Sequence, residues 1–202
     1  MTEDKKTQFK SRKQAYIQEE ILLSAVALFA QRGYRAVSLG DVAANLGYTK
    51  SVIYYYFKSK SEMLARIFDQ CYDLYLNGIA DIVKMSLDPR EKLKRAITQH
   101  ALNVMDRPDW NAIYWREENE LSEEYQKLIL AKKHEYDSIV ESIYTEGVKK
   151  KQFEKLPAGV AVKAILGMCN SVHIWYKPTG ALSPKEIADH IAHIIMKGVA
   201  LP

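Results

Sequence analysis

Apolar residues recur along this chain at intervals of three and four, which is the spacing of one face of an α-helix. Stretches in which apolar and polar residues alternate, as on a half-buried strand, are missing. The pattern predicts an all-α protein of about nine helices. We place them at residues 15–32, 39–46, 50–56, 60–85, 89–105, 110–117, 122–149, 158–176 and 184–198.

Four of these predicted helices begin with a capping signal. In each, a Ser or Asp stands three positions before an acidic residue, so its side-chain oxygen can accept from free N–H groups of the first turn. In two of them a proline occupies the first helical position, where its fixed φ suits the helix. The pairs are Ser38 with Asp41, Ser59 with Glu62, Asp88 with Glu91 and Ser183 with Glu186.

The predicted helices divide the chain at about residue 60. Residues 1–59 contain three helices, preceded by a basic arm at 1–14 that carries most of its charge as Lys and Arg. Residues 60–202 contain the longer helices and are expected to form an antiparallel bundle. The long helix that starts at residue 60 would join the two domains with little linker.

Positive charge is concentrated in the first domain. The 202 residues carry a net charge of +4, yet residues 1–60 hold ten Lys or Arg and five Asp or Glu, whereas the rest of the chain is near neutral. A basic end on a neutral body is typical of a protein that binds a polyanion. A solvated arm would give the same balance, so charge alone does not decide.

The remaining composition narrows the class of protein. No apolar run approaches the roughly 20 residues that span a bilayer, and the polar N-terminus lacks a secretory stretch, so we expect a cytoplasmic protein. The cysteines, Cys71 and Cys169, lie far apart in apolar segments and are expected to be buried free thiols. Without a Gly-rich phosphate loop or a serine-nucleophile motif, we expect no enzyme activity and no cofactor. His190 and His193 lie one helical turn apart, but no third ligand accompanies them, so we expect no metal site.

Residues 39–57 have the pattern of a helix-turn-helix. Small Ala43 lets two helices approach closely, and Gly47, four positions later, can adopt the left-handed conformation of a sharp turn. Ile53 follows after six more residues and faces inward with Phe57. The second helix of such a motif points its N-terminus into the major groove of DNA.

Polar residues open this second helix. Thr49 lies at its N-terminal end, and Lys50 and Ser51 follow as candidates for contacts with base edges. We therefore expect these three side chains to be exposed.

Three tyrosines and a lysine follow the polar tip. The hydroxyls of Tyr54 and Tyr55 and the ammonium of Lys58 suit phosphate oxygens, and such contacts set affinity without reading sequence. Consecutive residues of a helix point about 100° apart, so the three rings cannot all face DNA, and Tyr56 is the one most expected to pack inward.

Five segments between residues 17 and 64 carry a family resemblance. They are A-x-x-L-F-x-x-x-G-Y from Ala25 to Tyr34, Ser38 with Asp41-Val42-Ala43, Leu46-Gly47-Tyr48-Thr49, Ile53-Tyr54-Tyr55-x-Phe57 and Lys60-x-x-Met63-Leu64. Together they resemble the DNA-binding domain of the TetR family of bacterial transcriptional regulators. At one position the chain differs from the family, because Tyr56 stands where histidine is usual. The resemblance implies a DNA contact from Ser38 in addition to the residues above, a homodimer, a ligand pocket in the C-terminal domain and release of DNA when ligand binds.

The resemblance also guides the reading of the C-terminal domain. We expect the helices at 158–176 and 184–198 to form the dimer interface, and the pocket to lie among the helices of residues 60–149. The interface candidates are Val162, Ile165, Cys169, Ile187, Ile191 and Ile194. The pocket candidates are Tyr72, Met105, Trp110, Tyr114, Trp115 and Arg116.

The segment MCNSVHIWYKPTGALSPKEIADHI resembles, more loosely, TetR-family repressors of fatty-acid and sterol degradation, whose effectors are acyl-CoA thioesters. This favours an acyl-CoA or another hydrophobic effector. Three alternatives stay open: a multidrug-sensing repressor that binds hydrophobic cations, a DNA-binding regulator without a small effector, and a helical enzyme with an incidental basic arm.

Overall fold

A computed structural model describes the backbone of residues 2–201 and the side chains of residues 12–201. The prediction of an all-α fold is confirmed: within the described residues, the β-structure is a single isolated bridge between Phe153 and Ala200. The helices are α1 (Thr2–Arg32), α2 (Leu39–Leu46), α3 (Lys50–Tyr56), α4 (Lys60–Lys84), α5 (Pro89–Asp106), α6 (Pro108–Glu117), a 3₁₀ turn (Glu118–Glu120), α7 (Glu123–Lys149), α8 (Ala158–Asn170), α9 (Val172–Trp175) and α10 (Pro184–Val199).

The capping signals act as the sequence predicts. Ser183 forms a full capping box, in which its backbone N–H donates to Glu186 at 2.8 Å while its hydroxyl accepts from the Glu186 backbone N–H at 3.3 Å. The Asp88 carboxylate accepts from the Glu91 backbone N–H at 3.0 Å. These bonds satisfy donors that a helix start would otherwise leave free.

Two predicted boundaries differ from the structure by more than two residues. The first helix begins at Thr2 rather than near residue 15, so the predicted basic arm at 1–14 is the start of α1; side chains up to residue 11 lie outside the described ones. The helix predicted at 158–176 breaks at Ser171 into α8 and α9. There, the Ser171 hydroxyl donates to the Met168 carbonyl at 2.8 Å, a competing bond of the kind that interrupts helices.

The stretch Ala158–Trp175 is more apolar than the sequence analysis allowed for. Its mean hydropathy of 1.2 gives it the length and composition of a membrane-spanning helix. The break at Ser171 leaves α8 with 13 residues, which span about 20 Å at 1.5 Å per residue, short of the roughly 30 Å of a bilayer core. We therefore assign this stretch to packing between helices.

The chain folds into two units. The N-terminal unit contains the residues up to Asp69 together with Ala112–Gln126, and the C-terminal unit contains Gln70–Asn111 and the residues from Lys127 onward. In the N-terminal unit, the returning segment packs through Tyr114, whose ring lies 5.0 Å from that of Phe68. The same segment supplies Glu120, which pairs with Arg35 at 2.6 Å.

The core of the C-terminal unit forms around α5, which packs against α8, α9 and α10. Two backbone hydrogen bonds hold the residues after α10 against the segment after α7. The Glu154 N–H donates to the Val199 carbonyl at 2.9 Å, and the Leu201 N–H donates to the Gln152 carbonyl at 3.0 Å. Beside this bridge, the ring of Phe153 lies against Gly147 of α7, in space that a Cβ would occupy. Gly147 therefore serves a close approach that no larger residue permits.

Candidate nucleic-acid interface

A left-handed glycine makes the turn between α2 and α3. Gly47 has φ +68°, a conformation that costs a residue with a side chain about 1 kcal/mol or more. The Tyr48 backbone N–H donates back to the Ala43 carbonyl at 2.9 Å, which closes the end of α2. The turn predicted at Gly47 is thus present, and it sets the direction in which α3 leaves.

Buried contacts hold α2 and α3 on α1. Ile53 on the inner face of α3 and Phe57 directly after the helix are fully buried. The Tyr48 hydroxyl donates to Glu20 of α1 at 2.7 Å, and the Asn45 amide donates to the Ser24 hydroxyl at 2.9 Å. Because its inner face is fixed in this way, α3 presents its other face rigidly to solvent.

The N-terminal tip of α3 is polar and exposed. Thr49, Lys50 and Ser51 are all exposed, as the sequence analysis expects. Thr49 precedes the first residue of α3 with extended backbone angles, and its side chain makes no capping bond to the helix. The hydroxyl and the first backbone N–H groups therefore remain available to an external partner.

Lys50 is placed by a residue that the sequence analysis missed. A Cβ added to Gly40 in α2 would lie 2.9 Å from the Lys50 Cε, so the lysine side chain lies over the glycine. Because the contacting atom is near the far end of a flexible side chain, a side chain at position 40 would displace the lysine rather than exclude it. No local sequence signal reveals the contact, since Gly40 and Lys50 meet through the tertiary packing of α2 on α3.

The tyrosines separate by exposure as helical geometry requires. Tyr54 and Tyr55 are 50% and 61% exposed, whereas Tyr56 is half-buried, with its ring 5.0 Å from that of Tyr55. The Lys58 ammonium donates to the Tyr54 carbonyl at 3.1 Å, where the negative end of the α3 dipole attracts a cation. The ammonium also donates to the Tyr55 carbonyl at 3.5 Å, and its third N–H can still donate to a phosphate.

A basic recess lies beside these residues. It has a volume of about 450 Å³ and includes Arg35, Ser38, Tyr54, Lys58 and Lys60 in its lining. Arg35 was missed from sequence, although a cation just before a capped helix start would have been a usable signal for an anion site.

Ser38 is less available than predicted. Its hydroxyl donates to the Asp41 carboxylate, and this bond holds the pKa of Asp41 below its usual range. A phosphate contact from the Ser38 side chain would have to replace that bond.

The polar tip of α3 is exposed, while its other face is buried against α1 and α2, and a basic recess lies at its side. This arrangement defines a helix-turn-helix DNA-binding protein. Residues 21–67 match the domain described as bacterial regulatory proteins, tetR family, and residues 86–199 match the tetracyclin repressor-like C-terminal domain. The chain belongs to the TetR family of transcriptional regulators.

Similar proteins support this assignment over nearly the whole length. The transcriptional repressor KstR2 of Mycolicibacterium smegmatis is 26% identical over 183 residues, covering 90% of this chain and 89% of the relative. A TetR/AcrR-family regulator from Thermobifida fusca is 30% identical, with a TM-score of 0.74 over 90% of this chain and 97% of its own. AibR, solved in complex with isovaleryl coenzyme A and operator DNA, is 24% identical with a TM-score of 0.79, over 88% of this chain and 96% of its own.

The predicted pocket residues are divided between the two units. Tyr72, Met105 and Trp110 belong to the C-terminal unit, where Met105 and Trp110 are buried. Tyr114, Trp115 and Arg116 belong to the N-terminal unit. The Arg116 guanidinium donates to the Phe29 carbonyl at 3.2 Å, so its position is already explained by packing against α1.

The predicted interface residues differ in their burial. Of the six, five are buried within their own chain and Ile194 is exposed, while Ile187 and Ile191 also line an apolar groove beside Ile194. Their role in a dimer stays a prediction. The five buried side chains are Val162, Ile165, Cys169, Ile187 and Ile191. The exposed apolar side chains of the same region are Val160, Met168, Ile174, Trp175, Leu182 and Ile194.

The cysteines lie inside the chain, and the predicted histidine pair lies on its surface. Cys71 and Cys169 are free and buried as predicted, and burial raises the pKa of each to about 12. Within the described residues, no cluster of three His, Cys, Asp or Glu side chains is placed to hold a metal ion. His190 and His193 are exposed on α10.

Proposed function

We propose that this chain is a homodimeric, cytoplasmic repressor without enzyme activity, which a hydrophobic or acyl-CoA-type effector releases from its DNA operator. The observation that carries the DNA-binding part is the exposure of Thr49, Lys50 and Ser51 at the tip of a helix whose other face is buried. A core helix would not leave its polar N-terminus unpartnered at the surface.

Two kinds of contact follow from this arrangement. Lys50 and Ser51 reach base edges, while Tyr54, Tyr55 and Lys58 donate to phosphate oxygens. Arg35 joins the phosphate-binding group because it lines the same recess as Tyr54 and Lys58, and the N–H groups that it does not give to Glu120 can donate to a phosphate. The first group sets sequence preference and the second sets affinity.

An exposed apolar face on α8, α9 and α10 supports the dimer. Ile174 is 76% exposed and Ile194 is 58% exposed, which a stable monomer rarely tolerates over a contiguous surface. An apolar groove of about 530 Å³ runs between Trp175 and Ile194. Pairing through this face would bury it and hold two recognition helices about 34 Å apart, the repeat of successive major grooves.

The effector proposal rests on the relatives and on the loose resemblance in the α9–α10 segment. AibR was solved with isovaleryl coenzyme A bound, and acyl thioesters are the effector class that we propose for this chain. For such a ligand to release DNA, it must bind the non-DNA-binding conformation more tightly, and DNA must weaken ligand binding by the same factor. A change carried along α4, which runs through both units, would alter the spacing of the two tips.

The experiment is titration of the intact protein against a duplex obtained by selection from random DNA, read by fluorescence anisotropy. Isovaleryl-CoA and a long-chain acyl-CoA are added separately, with free coenzyme A and tetraphenylphosphonium as comparisons. Release by an acyl-CoA alone supports the proposal. Release by the cation alone favours a multidrug sensor, release by none favours a regulator without a small effector, and failure to select any duplex refutes the DNA-binding role.

A further inference from the structure

The N-terminal half of α1 contacts the recognition helix α3. The Gln14 side-chain amide donates to the Tyr55 hydroxyl at 2.9 Å, joining positions 41 residues apart. Gln14 is half-buried, and Tyr55 is 61% exposed. This bond ties α1 to the face of α3 that carries the tyrosines.

The direction of the bond leaves Tyr55 able to act on DNA. Because the Tyr55 oxygen accepts from Gln14, its own O–H remains free to donate to another acceptor. Accepting one hydrogen bond also polarises a hydroxyl and strengthens it as a donor. Gln14 therefore restricts the ring while keeping its proton directed outward.

Two cations stand immediately before Gln14. Arg12 and Lys13 are exposed and form no ion pair with any described residue. At a rise of about 1.5 Å per residue along α1, their backbone lies within one helical turn of Gln14. Successive side chains of a helix point about 100° apart, so these two long side chains would reach phosphates beside the one that accepts from Tyr55 rather than that phosphate itself.

We propose that residues Arg12–Gln14 form a second DNA-backbone contact, outside the helix-turn-helix, in which Arg12 and Lys13 bind phosphates flanking each half-site and Gln14 positions Tyr55. The inference rests on the proposed DNA-binding function and extends it to residues that the helix-turn-helix pattern does not include. The partner is duplex DNA, because the contact is built onto the face of α3 that meets the groove.

The charge part is tested with the double variant Arg12→Gln/Lys13→Gln. The slope of log affinity against log salt is expected to fall by about 1.8, since each lost phosphate contact removes about 0.9. Lys149→Gln/Lys155→Gln is the matched control, which removes two exposed cations from the C-terminal unit and is expected to leave the slope unchanged. Equal slopes in the two double variants would overturn the inference, whereas a wild-type protein that binds no duplex would overturn the proposed function itself.

The positioning part is tested by a cycle of Gln14→Ala, Tyr55→Phe and the double variant. Gln14→Ala is expected to weaken binding about threefold to tenfold with no change in salt slope, because Gln14 carries no charge. In the Tyr55→Phe background the further loss is expected to disappear. Independent losses that simply multiply would show that Gln14 does not act through Tyr55.

Hydroxyl-radical footprinting locates the contact on the DNA. Wild-type protein is expected to protect sugar positions on the outer side of each half-site, and Arg12→Gln/Lys13→Gln is expected to lose only those. A variant footprint identical to the wild type, or protection lost inside the half-site instead, would contradict the flanking position.

Discussion

The polar side chains of α2 and α3 lie at the surface of the N-terminal unit, whereas in the C-terminal unit several polar side chains lie inside the bundle. His100 is enclosed and hydrogen-bonded on both ring nitrogens, to the Tyr136 hydroxyl at 2.9 Å and to the Asn170 amide oxygen at 2.8 Å. Asn111 is also buried, and its amide donates to the Arg107 carbonyl at 3.0 Å. The polar groups of α2 and α3 in the N-terminal unit are thus open to solvent, whereas His100 and Asn111 in the C-terminal unit are hydrogen-bonded inside the protein.

This difference predicts whether a substitution in each unit affects DNA binding or folding. Surface polar groups tolerate substitution because water replaces a lost partner, so changes to the tip of α3 are expected to affect binding and spare folding. Enclosed polar groups lose their partner without replacement, so changes around His100 are expected to affect folding first.

The largest expected effect is on the folding of the C-terminal unit. In Gly147→Ala, the new Cβ would overlap the Phe153 ring. The free energy of unfolding is expected to fall by about 3 kcal/mol, the upper range for overpacking. Urea unfolding measures it, and Gly198→Ala is the control because nothing lies within 4 Å of that position. Equal stability of the two variants would show that the Phe153 ring can move aside at little cost in free energy.

Acid is expected to destabilise the same unit through His100. Burial lowers its pKa to about 4, below the usual value of 6.5, so the folded state favours the neutral ring. Its contribution is complete above about pH 6.5 and falls as the pH drops toward 4, by roughly 3 kcal/mol in total.

Urea unfolding at pH 7, 5.5 and 4.5 checks this dependence. His100→Gln is expected to be less stable at pH 7 and to lose much of the slope between these pH values. His134→Gln, a change at an exposed histidine, is the control that keeps the slope. A His100→Gln variant with the wild-type slope would assign the acid sensitivity to other groups.

At the DNA-reading tip, sequence preference is expected to depend on Lys50. Lys50→Ala should lower discrimination at one base pair by about 1–3 kcal/mol, without loss of stability. Gly40→Ala should shift the same preference, because the added methyl group displaces the Lys50 side chain.

Binding to a panel of single-base operator variants measures both changes. In the Lys50→Ala background, Gly40→Ala is expected to have no further effect on preference. Uniform weakening across the whole panel would instead assign Lys50 to the DNA backbone.

The smallest expected effect belongs to the phosphate contacts. Tyr54→Phe combined with Lys58→Ala should weaken binding to all sequences alike and lower the salt slope by about one unit, since one cation is lost. Anisotropy titrations between 50 and 200 mM salt read the slope. A slope equal to that of the wild type would remove Lys58 from the phosphate group.

The helix-turn-helix could be predicted almost completely because its signals are local. Gly47 ends α2 through its own backbone angles, and Ser38 caps the same helix through a neighbour three residues away. Thr49 at the tip of α3 is a polar residue, and polar residues favour the surface, so its exposure could also be predicted. By contrast, α8 and α10 are apolar on two faces, so spacing alone could not distinguish the face that packs in the chain from the face left outside.

The amino-acid sequence by itself determined the helices, their caps, the sharp turn and the polar end of α3, because each depends on interactions within a few residues. Tertiary structure alone decided that Val162 and Ile191 face inward while Ile174 and Ile194 face outward, that Lys50 lies over Gly40, and that Gln14 meets Tyr55. These choices depend on segments distant in the chain, whose approach is set by the packing of whole helices.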